Sequence, residues 1–275
     1  MIILVHIHKT AGSSLTAAFR RNYNLQIPVF DLNHLYGTKG NFNPASRRRS
    51  NLTLIDFSHG GAEEISYVNL EQAKLKTSKA LGGHLTYNIH KYLPGNHDFH
   101  YISLVRNPFD RVFNYVHLMS QPKASKLNRL SDIMFGKCKG DLSLMIDSNE
   151  LPEFKNDQSR MLLGVSEDAR FTARDVIEHI QKNYFYVGRT EEYAEVIKHL
   201  GGLLNWKDVS DPGILPHLET RHEDGRNDWF KIVGYNIPQD LIYKVTKANL
   251  VDQEVWEHIQ HYGPEGYWKS HLLEL

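Results

Sequence analysis

The chain has 275 residues and a single cysteine, Cys138, so no disulfide can form within it. Such usage fits a reducing compartment. No apolar run approaches the roughly 18–20 residues that a membrane-spanning helix needs. The one apolar stretch near the amino terminus, Ile2 to Ile7, is too short even for a secretory leader. Charge of either sign is not in excess: 32 basic and 32 acidic side chains sum to zero, so nothing global argues for nucleic acid or an anionic membrane surface. Internal repeats and low-complexity segments are missing as well, which excludes solenoids and disordered arrays. The expectation is a soluble cytoplasmic protein with no nucleic-acid partner and no integral membrane segment.

What is present suffices for a substantial core, with 41% apolar and 23% charged residues. Strand and helix signals alternate. Strands are expected at Ile2–Ile7, Leu52–Phe57, Ala80–Gly82 and Tyr101–Val105, and helices at Ser14–Tyr23, Ala62–Lys74 and Pro108–Met119, with a helical turn at Tyr87–Leu93. Residues Gln121–Lys139 read as the least ordered stretch. The carboxyl-terminal half is helix-rich: Thr172–Lys182 with a cap at Thr172 and Asp175, a helix opening at Thr190, then Pro238–Asn249 and Gln253–His261. This alternation predicts an α/β fold occupying 1–275 as a single domain. Its central sheet is mostly parallel with helices on both faces, and its ligand lies beyond the carboxyl ends of the strands.

Two strand ends carry chemistry. At Ile2–Ser14 an apolar strand runs into a small-residue loop with Lys9 and then at once into a helix. Such a turn leaves the first N–H groups of the helix facing outward at the positive end of its dipole, which is a cradle for phosphate. Gly12 allows close approach of the main chain, and Lys9, Thr10, Ser13 and Ser14 add donors. The nucleotide-triphosphate loop G-x-x-x-x-G-K-[ST] carries its lysine after the glycines, whereas here Lys9 precedes Gly12 and Ser13 follows it. At Tyr101–Tyr115 a second strand ends at Arg106, and Pro108 suits the first turn of the helix that follows.

The segment His8–Ser14, His-Lys-Thr-Ala-Gly-Ser-Ser, resembles the 5′-phosphosulfate loop of sulfotransferases that use 3′-phosphoadenosine-5′-phosphosulfate (PAPS). It is most similar to the branch that sulfates heparan-type glycans at 2-O and 6-O. Arg106 stands where that family has the arginine of an Arg-Asp-Pro motif, which with a serine eight residues on holds the 3′-phosphate. Here Asn107 replaces the usual Asp and Asn114 the usual Ser, and an amide can still donate to a phosphate oxygen. Gly82–Leu85 resembles the Gly-His pair of the 2-O branch, and Asn156–Leu163 its Asn-x-Gln-x-Arg-x-Leu helix. Tyr184–Glu192 resembles the family's Phe-x-x-Val-Gly-x-Thr-Glu segment, and His217–Arg221 its loop that closes over the nucleotide.

The resemblance implies a P-loop-like three-layer fold, PAPS as sulfate donor, PAP as product, no required metal, and a carbohydrate hydroxyl as acceptor. It implies that Lys9, Thr10, Ala11, Gly12, Ser13 and Ser14 hold the 5′-phosphosulfate, that Arg106 and Asn114 hold the 3′-phosphate, and that Thr220 and Arg221 clamp the nucleotide. Sulfuryl transfer is an in-line displacement, so the protein must position two reactants and stabilise charge on the leaving phosphate oxygen, a role that suits Lys9. The acceptor hydroxyl needs a base near neutrality; His84 is the candidate and His59 its rival. Arg47, Arg48 and Arg49 read either as a face for a sulfated or uronic-acid polymer or as a solvated loop, with His59 as a further substrate contact. Arg111 reads as a solvated helix residue or a salt-bridge partner. His6 with His8, and His258 with His261, could each be drawn as half of a metal clamp, but neither pair has a third ligand nearby. The competing readings are a nucleotide-dependent P-loop kinase and a glycan- or nucleotide-binding relative without turnover.

Overall fold

Residues 1–23, 54–57, 80–92, 98–120, 132–209 and 238–269 are described by the structure, a computed structural model. Strand β1 (Ile2–Val5) is apolar at every position because both of its faces are covered. It lies inside a sheet that also contains β2 (Leu54–Phe57), β3 (Ala80–Gly83), β4 (His100–Val105), β5 (Tyr184–Arg189) and β6 (Tyr267–Trp268), in the order β2-β3-β1-β4-β5-β6. The first five run parallel; only the short β6 is antiparallel, pairing Tyr186 with Trp268 and Val187 with Tyr267. Register aligns the ends: Val5 lies opposite Gly83 on one side and opposite Ser103 on the other.

Alternation along β1 sends its side chains into two cores. Ile3 and Val5 join Leu81 and Val105 beneath Val176 and Ile180 of helix α5 (Ala173–Asn183) and Val255 and Ile259 of helix α8 (Leu250–Gln260). Ile2 and Leu4 face Leu15 and Phe19 of α1 (Gly12–Asn22) and Val196, Ile197 and Leu200 of α6 (Tyr193–Leu203). Each such fully buried aliphatic or aromatic side chain contributes about 1.5–3 kcal/mol. A third core joins α2 (Pro108–Ser120) and α3 (Leu142–Asp147) to α7 (Gln239–Ala248) through Val112, Phe113, Val116, Met145 and Val245. The α/β fold with a mostly parallel sheet and helices on both faces is therefore as expected, and so is the helix-rich carboxyl-terminal half.

The details differ where local signals were weak. Helix α1 starts at Gly12, two residues before Ser14, because Ala11 in the left-handed region already turns the chain into the helix. The turn expected at Tyr87–Leu93 is a 3-10 segment at Ile89–Tyr92, and the helix expected to open at Thr190 begins as a 3-10 turn, Thr190–Glu192, ahead of α6. Within the stretch read as least ordered, Asp132–Lys137 is a π-helical segment anchored by the buried Ile133 and Met134. Residues 121–131 lie outside the described part of the chain, as do 52–53 and the helix expected at 62–74. Helix α3 and strand β6 were not anticipated, since six and two residues are too few to show a period. The capping box expected for α5 is present, with Thr172 N–H donating to Asp175 Oδ2 at 2.8 Å. Among the described residues no helix is long and apolar enough to cross a membrane.

Candidate functional site

Three neighbouring parallel strands, β3, β1 and β4, release their chains at the same edge of the sheet, and each release carries one of the anticipated groups. His84 follows β3 directly, Lys9 to Ser14 follow β1, and Arg106 follows β4. The site is thus assembled by strand order, not by nearness in sequence.

The loop after β1 is shaped by two non-glycine residues in the left-handed region, Lys9 at φ 67° and Ala11 at φ 56°. This conformation costs of order 1–3 kcal/mol per residue and persists only where neighbours hold it. Left-handed residues set among right-handed ones turn successive N–H groups toward a common point, a concavity suited to an anion. The first turn of α1 continues that surface, since its N–H groups have no intrahelical acceptor. Among the described residues no side chain caps this helix, and its first turn holds no acidic residue. Gly12 is required by close approach: a Cβ there would lie 1.8 Å from Cδ2 of His6. Thr10 turns its hydroxyl inward, donating to the Ile7 carbonyl at 2.9 Å, so it braces the loop from within. Ser14 is buried.

His84 donates from Nδ1 to the main-chain carbonyl of His6 at 2.8 Å. A carbonyl can only accept, so Nδ1 carries the proton and Nε2 is the basic nitrogen. Two further imidazoles pack on this ring: His8 with centroids 3.9 Å apart and an interplanar angle of 8°, and His6 at 4.2 Å and 30°. Burial lowers His6 well below the ordinary imidazole range, and charge on His84 and Lys9 adds to this. His8 is lowered well below it too, by burial first and then by His84, His6, Arg111 and Lys9. Both rings are therefore neutral near pH 7. His8 stacks on His84 while His6 is tilted against it, and among the described residues no group of three or more His, Cys, Asp or Glu is arranged to hold a metal ion.

Arg106 ties the third loop to the first, its Nη1 donating to the Lys9 carbonyl at 3.2 Å across 97 residues of sequence. Its main chain is clasped by Gln158, whose Oε1 accepts from Arg106 N–H at 2.8 Å while Nε2 donates to the Arg106 carbonyl at 2.9 Å. Burial pulls the guanidinium down from its ordinary range, and Asp110 and Glu191 oppose that pull. Asn107, the departure from the usual Asp, accepts through Oδ1 from Phe109 N–H at 3.0 Å and so caps α2 as an aspartate would. Asn114 donates from Nδ2 to the Asp110 carbonyl one turn back, at 2.7 Å.

Arg111 is not the solvated side chain that was one reading of it. It is fully buried, paired with Asp157 at 3.2 Å and donating to the Glu153 carbonyl at 2.6 Å. Asp157 also pairs with Arg160 at 3.2 Å. Beside them Asp252 of α8 accepts from the N–H groups of Gln158 and Ser159 at 3.1 and 2.8 Å, capping helix α4 (Asp157–Leu163) from a distant element. Asn249 completes the lock by donating to the Phe154 carbonyl at 2.8 Å and accepting from Asn156 N–H at 3.0 Å. This network holds Gln158, and through it Arg106.

Lys9, Thr10, Ala11, Gly12, Ser14, Arg106 and His84 are brought to one edge, with Asn114 two turns along α2; of Ser13 only the main chain is described. Arg47, Arg48, Arg49, His59, Thr220 and Arg221 lie outside the described residues. Gln158, His6 and His8 had been given no part in the site, and no spacing rule links them to residues 50 to 80 positions away. No model of a known protein family matches the chain, and no curated protein matches it.

Proposed function

We propose that the protein is a PAPS-dependent O-sulfotransferase with a P-loop-like fold, transferring a sulfuryl group to a hydroxyl of a carbohydrate acceptor. The observation that carries this reading is the meeting of two anion-directed groups and one oriented base: the Lys9 loop, Arg106 bonded to it at 3.2 Å, and His84 with Nδ1 tied to His6. The strand order β2-β3-β1-β4-β5 with α1 following the β1 loop supports the fold assignment. PAPS would be held at its 5′ end by the loop N–H groups and Lys9, and at its 3′-phosphate by Arg106, with Asn114 nearby. Bound there, it supplies an activated sulfuryl group whose leaving oxygen is a phosphate.

The chain's own residues account for the rest. Lys9 follows the charge that grows on the bridging oxygen, a stabilisation realised only as the bond breaks. Nε2 of His84 takes the proton of the acceptor hydroxyl, a contribution of about 10²–10⁴ in rate. The sequence offers Arg47, Arg48, Arg49 and His59 as contacts for the acceptor, with a solvated loop as the other reading of the three arginines, and Thr220 with Arg221 as contacts for the nucleotide; all six lie outside the described residues. The decisive experiment is transfer of radiolabelled sulfate from PAPS to a panel of polysaccharides and small hydroxylated compounds, run with the wild type and His84→Ala. Transfer by the wild type, lost in the variant while PAP affinity measured by calorimetry is kept, is the expected outcome. PAP binding without transfer to any acceptor would instead favour a non-catalytic relative.

A further inference from the structure

We propose that Gln158 is a positioning residue for the 3′-phosphate site: its side-chain amide fixes the main chain from which Arg106 reaches the donor nucleotide. The proposal rests on the sulfotransferase reading of the same site and gives Gln158 a part in telling PAP from nucleotides that lack a 3′-phosphate.

Arg106 lies between two regular ladders. The last paired register of β4 sets Val105 opposite Arg189, and the hydrogen bonds of α2 begin at the Asn107 carbonyl, which accepts from Arg111 N–H at 2.9 Å. The two peptide planes that meet at Arg106 Cα are held by side chains instead. Each plane is trans, so its carbonyl and its N–H point in opposite directions. In the first plane the Val105 carbonyl accepts from Thr190 Oγ1 at 3.2 Å, and Arg106 N–H donates to Gln158 Oε1 at 2.8 Å. In the second the Arg106 carbonyl accepts from Gln158 Nε2 at 2.9 Å, and Asn107 N–H donates to Glu191 Oε1 at 2.8 Å. Each plane is thus gripped at both edges, and of the three side chains Gln158 is the one that grips both.

The residue type fits the task. A primary amide carries an acceptor and a donor side by side, which is what the N–H and the carbonyl of one residue together require. Both grips are anchored elsewhere. Gln158 is buried at the start of α4, where its own N–H donates to Asp252 Oδ2 at 3.1 Å. Glu191 accepts through Oε2 from Trp256 Nε1 of α8 at 3.3 Å, and Trp256 carries the Arg189 guanidinium 5.1 Å from its ring centroid. A main chain fixed in this way aims its side chain. Among the described residues the Arg106 guanidinium makes one hydrogen bond, to the Lys9 carbonyl at 3.2 Å, and its other donors are left for an anion. Because four hydrogen bonds already set the backbone on either side of Arg106, no ordering of that backbone is needed when phosphate binds.

The test reads the site and the main chain separately. Calorimetry compares PAP with adenosine 5′-monophosphate, which lacks only the 3′-phosphate, and NMR follows amide hydrogen exchange. Wild type should prefer PAP, and Gln158→Met should reduce that preference about 5- to 50-fold, a part of the worth of a charge-assisted contact. Affinity for adenosine 5′-monophosphate should stay within about twofold, since the Lys9 loop is untouched. Arg106 N–H should exchange at least about tenfold faster in the variant, while Arg160 N–H, bonded to the Asn156 carbonyl in the same helix as Gln158, keeps its wild-type rate. The proposal is overturned if Gln158→Met keeps the wild-type preference for PAP, if its affinities for the two nucleotides fall equally, or if Arg106 N–H exchanges alike in both proteins. If Gln158→Met does not fold, Gln158→Ala, which leaves room for water to meet the Arg106 groups, decides by the same ratio. Equal binding of both nucleotides by the wild type would remove the sulfotransferase reading and this proposal together, whereas a wild-type preference that survives in the variant would remove this proposal alone.

Discussion

Gly12→Ala puts the loop geometry under its most direct strain. The added Cβ would lie 1.8 Å from Cδ2, 2.2 Å from Nε2 and 2.3 Å from Cγ of His6. Ordinary carbon contacts fall at about 3.5–4.0 Å, so the ring must retreat by roughly 1.5–2 Å. It has little room to do so, since His6 is only 6% exposed and its centroid is already 4.2 Å from that of His84. Overpacking of this kind costs about 1–3 kcal/mol, and alanine's better helix propensity, a helix-interior effect, offsets little of it at the first residue of α1. In a chain of this size 1 kcal/mol moves the melting temperature by about 2–4 °C, so scanning calorimetry should show a fall of roughly 2–12 °C. Gly202→Ala is the matched control: it lies in α6 with nothing within 4 Å of the added carbon, and it should gain about 0.4–1 kcal/mol. Equal melting temperatures for wild type and Gly12→Ala would refute the close approach of His6 to the loop, and with it the account of why a glycine stands there.

Asp157→Asn should cost about 3–5 kcal/mol in urea denaturation, because it leaves the fully buried Arg111 without its counter-charge; a loss below about 1 kcal/mol would sink the network as the support of Gln158. Glu153 is pushed up from 4.5 to about 7 by burial, so between these values the unfolded chain ionises it while the folded chain keeps it protonated. Its folded pKa is the higher one, so it lowers stability as pH rises through that window, and Glu153→Gln should gain on wild type by about 1–3 kcal/mol between pH 4.5 and 8. A stability difference independent of pH would exclude the raised carboxyl. Arg106→Met should weaken PAP binding about 10- to 150-fold by calorimetry, the worth of a charge-assisted contact to phosphate. Adenosine 5′-phosphosulfate, which lacks the 3′-phosphate, should be affected far less, and an equal loss for both would remove Arg106 from the 3′-phosphate.

Local signals carried a large part of the architecture. The apolar run that opens at Ile2, the Pro108 start of α2 and the Thr172–Asp175 cap of α5 each express a preference set within a few residues, and each stands where it was expected, although β1 ends at Val5 and not at Ile7. Elements stabilised from outside carry weaker local signals. Helix α4, anticipated at Asn156–Leu163 only through the resemblance, is capped by Asp252, 93 or more residues away, and the segment Asp132–Lys137, within the stretch read as least ordered, is ordered by the burial of Ile133 and Met134 against other helices. Arg111 read as either a solvated helix residue or a salt-bridge partner, and only the tertiary structure selects the second, because its counter-ion, Asp157, comes from another element.

The sequence alone determined that a Lys-bearing, glycine-containing loop joins a buried strand to a helix, and that an arginine and a histidine stand just past two other strands. These are statements about windows of some ten residues, within which backbone preference and apolar spacing decide the outcome. Only the tertiary structure decided that the three loops meet, because the order β3-β1-β4 and the register of Val5 with Gly83 and Ser103 depend on pairing between strands some 80 to 100 residues apart. That pairing sets His84 against His6 and His8 and lets Arg106 reach Lys9, contacts chosen by the burial of the whole sheet and not by any segment taken by itself.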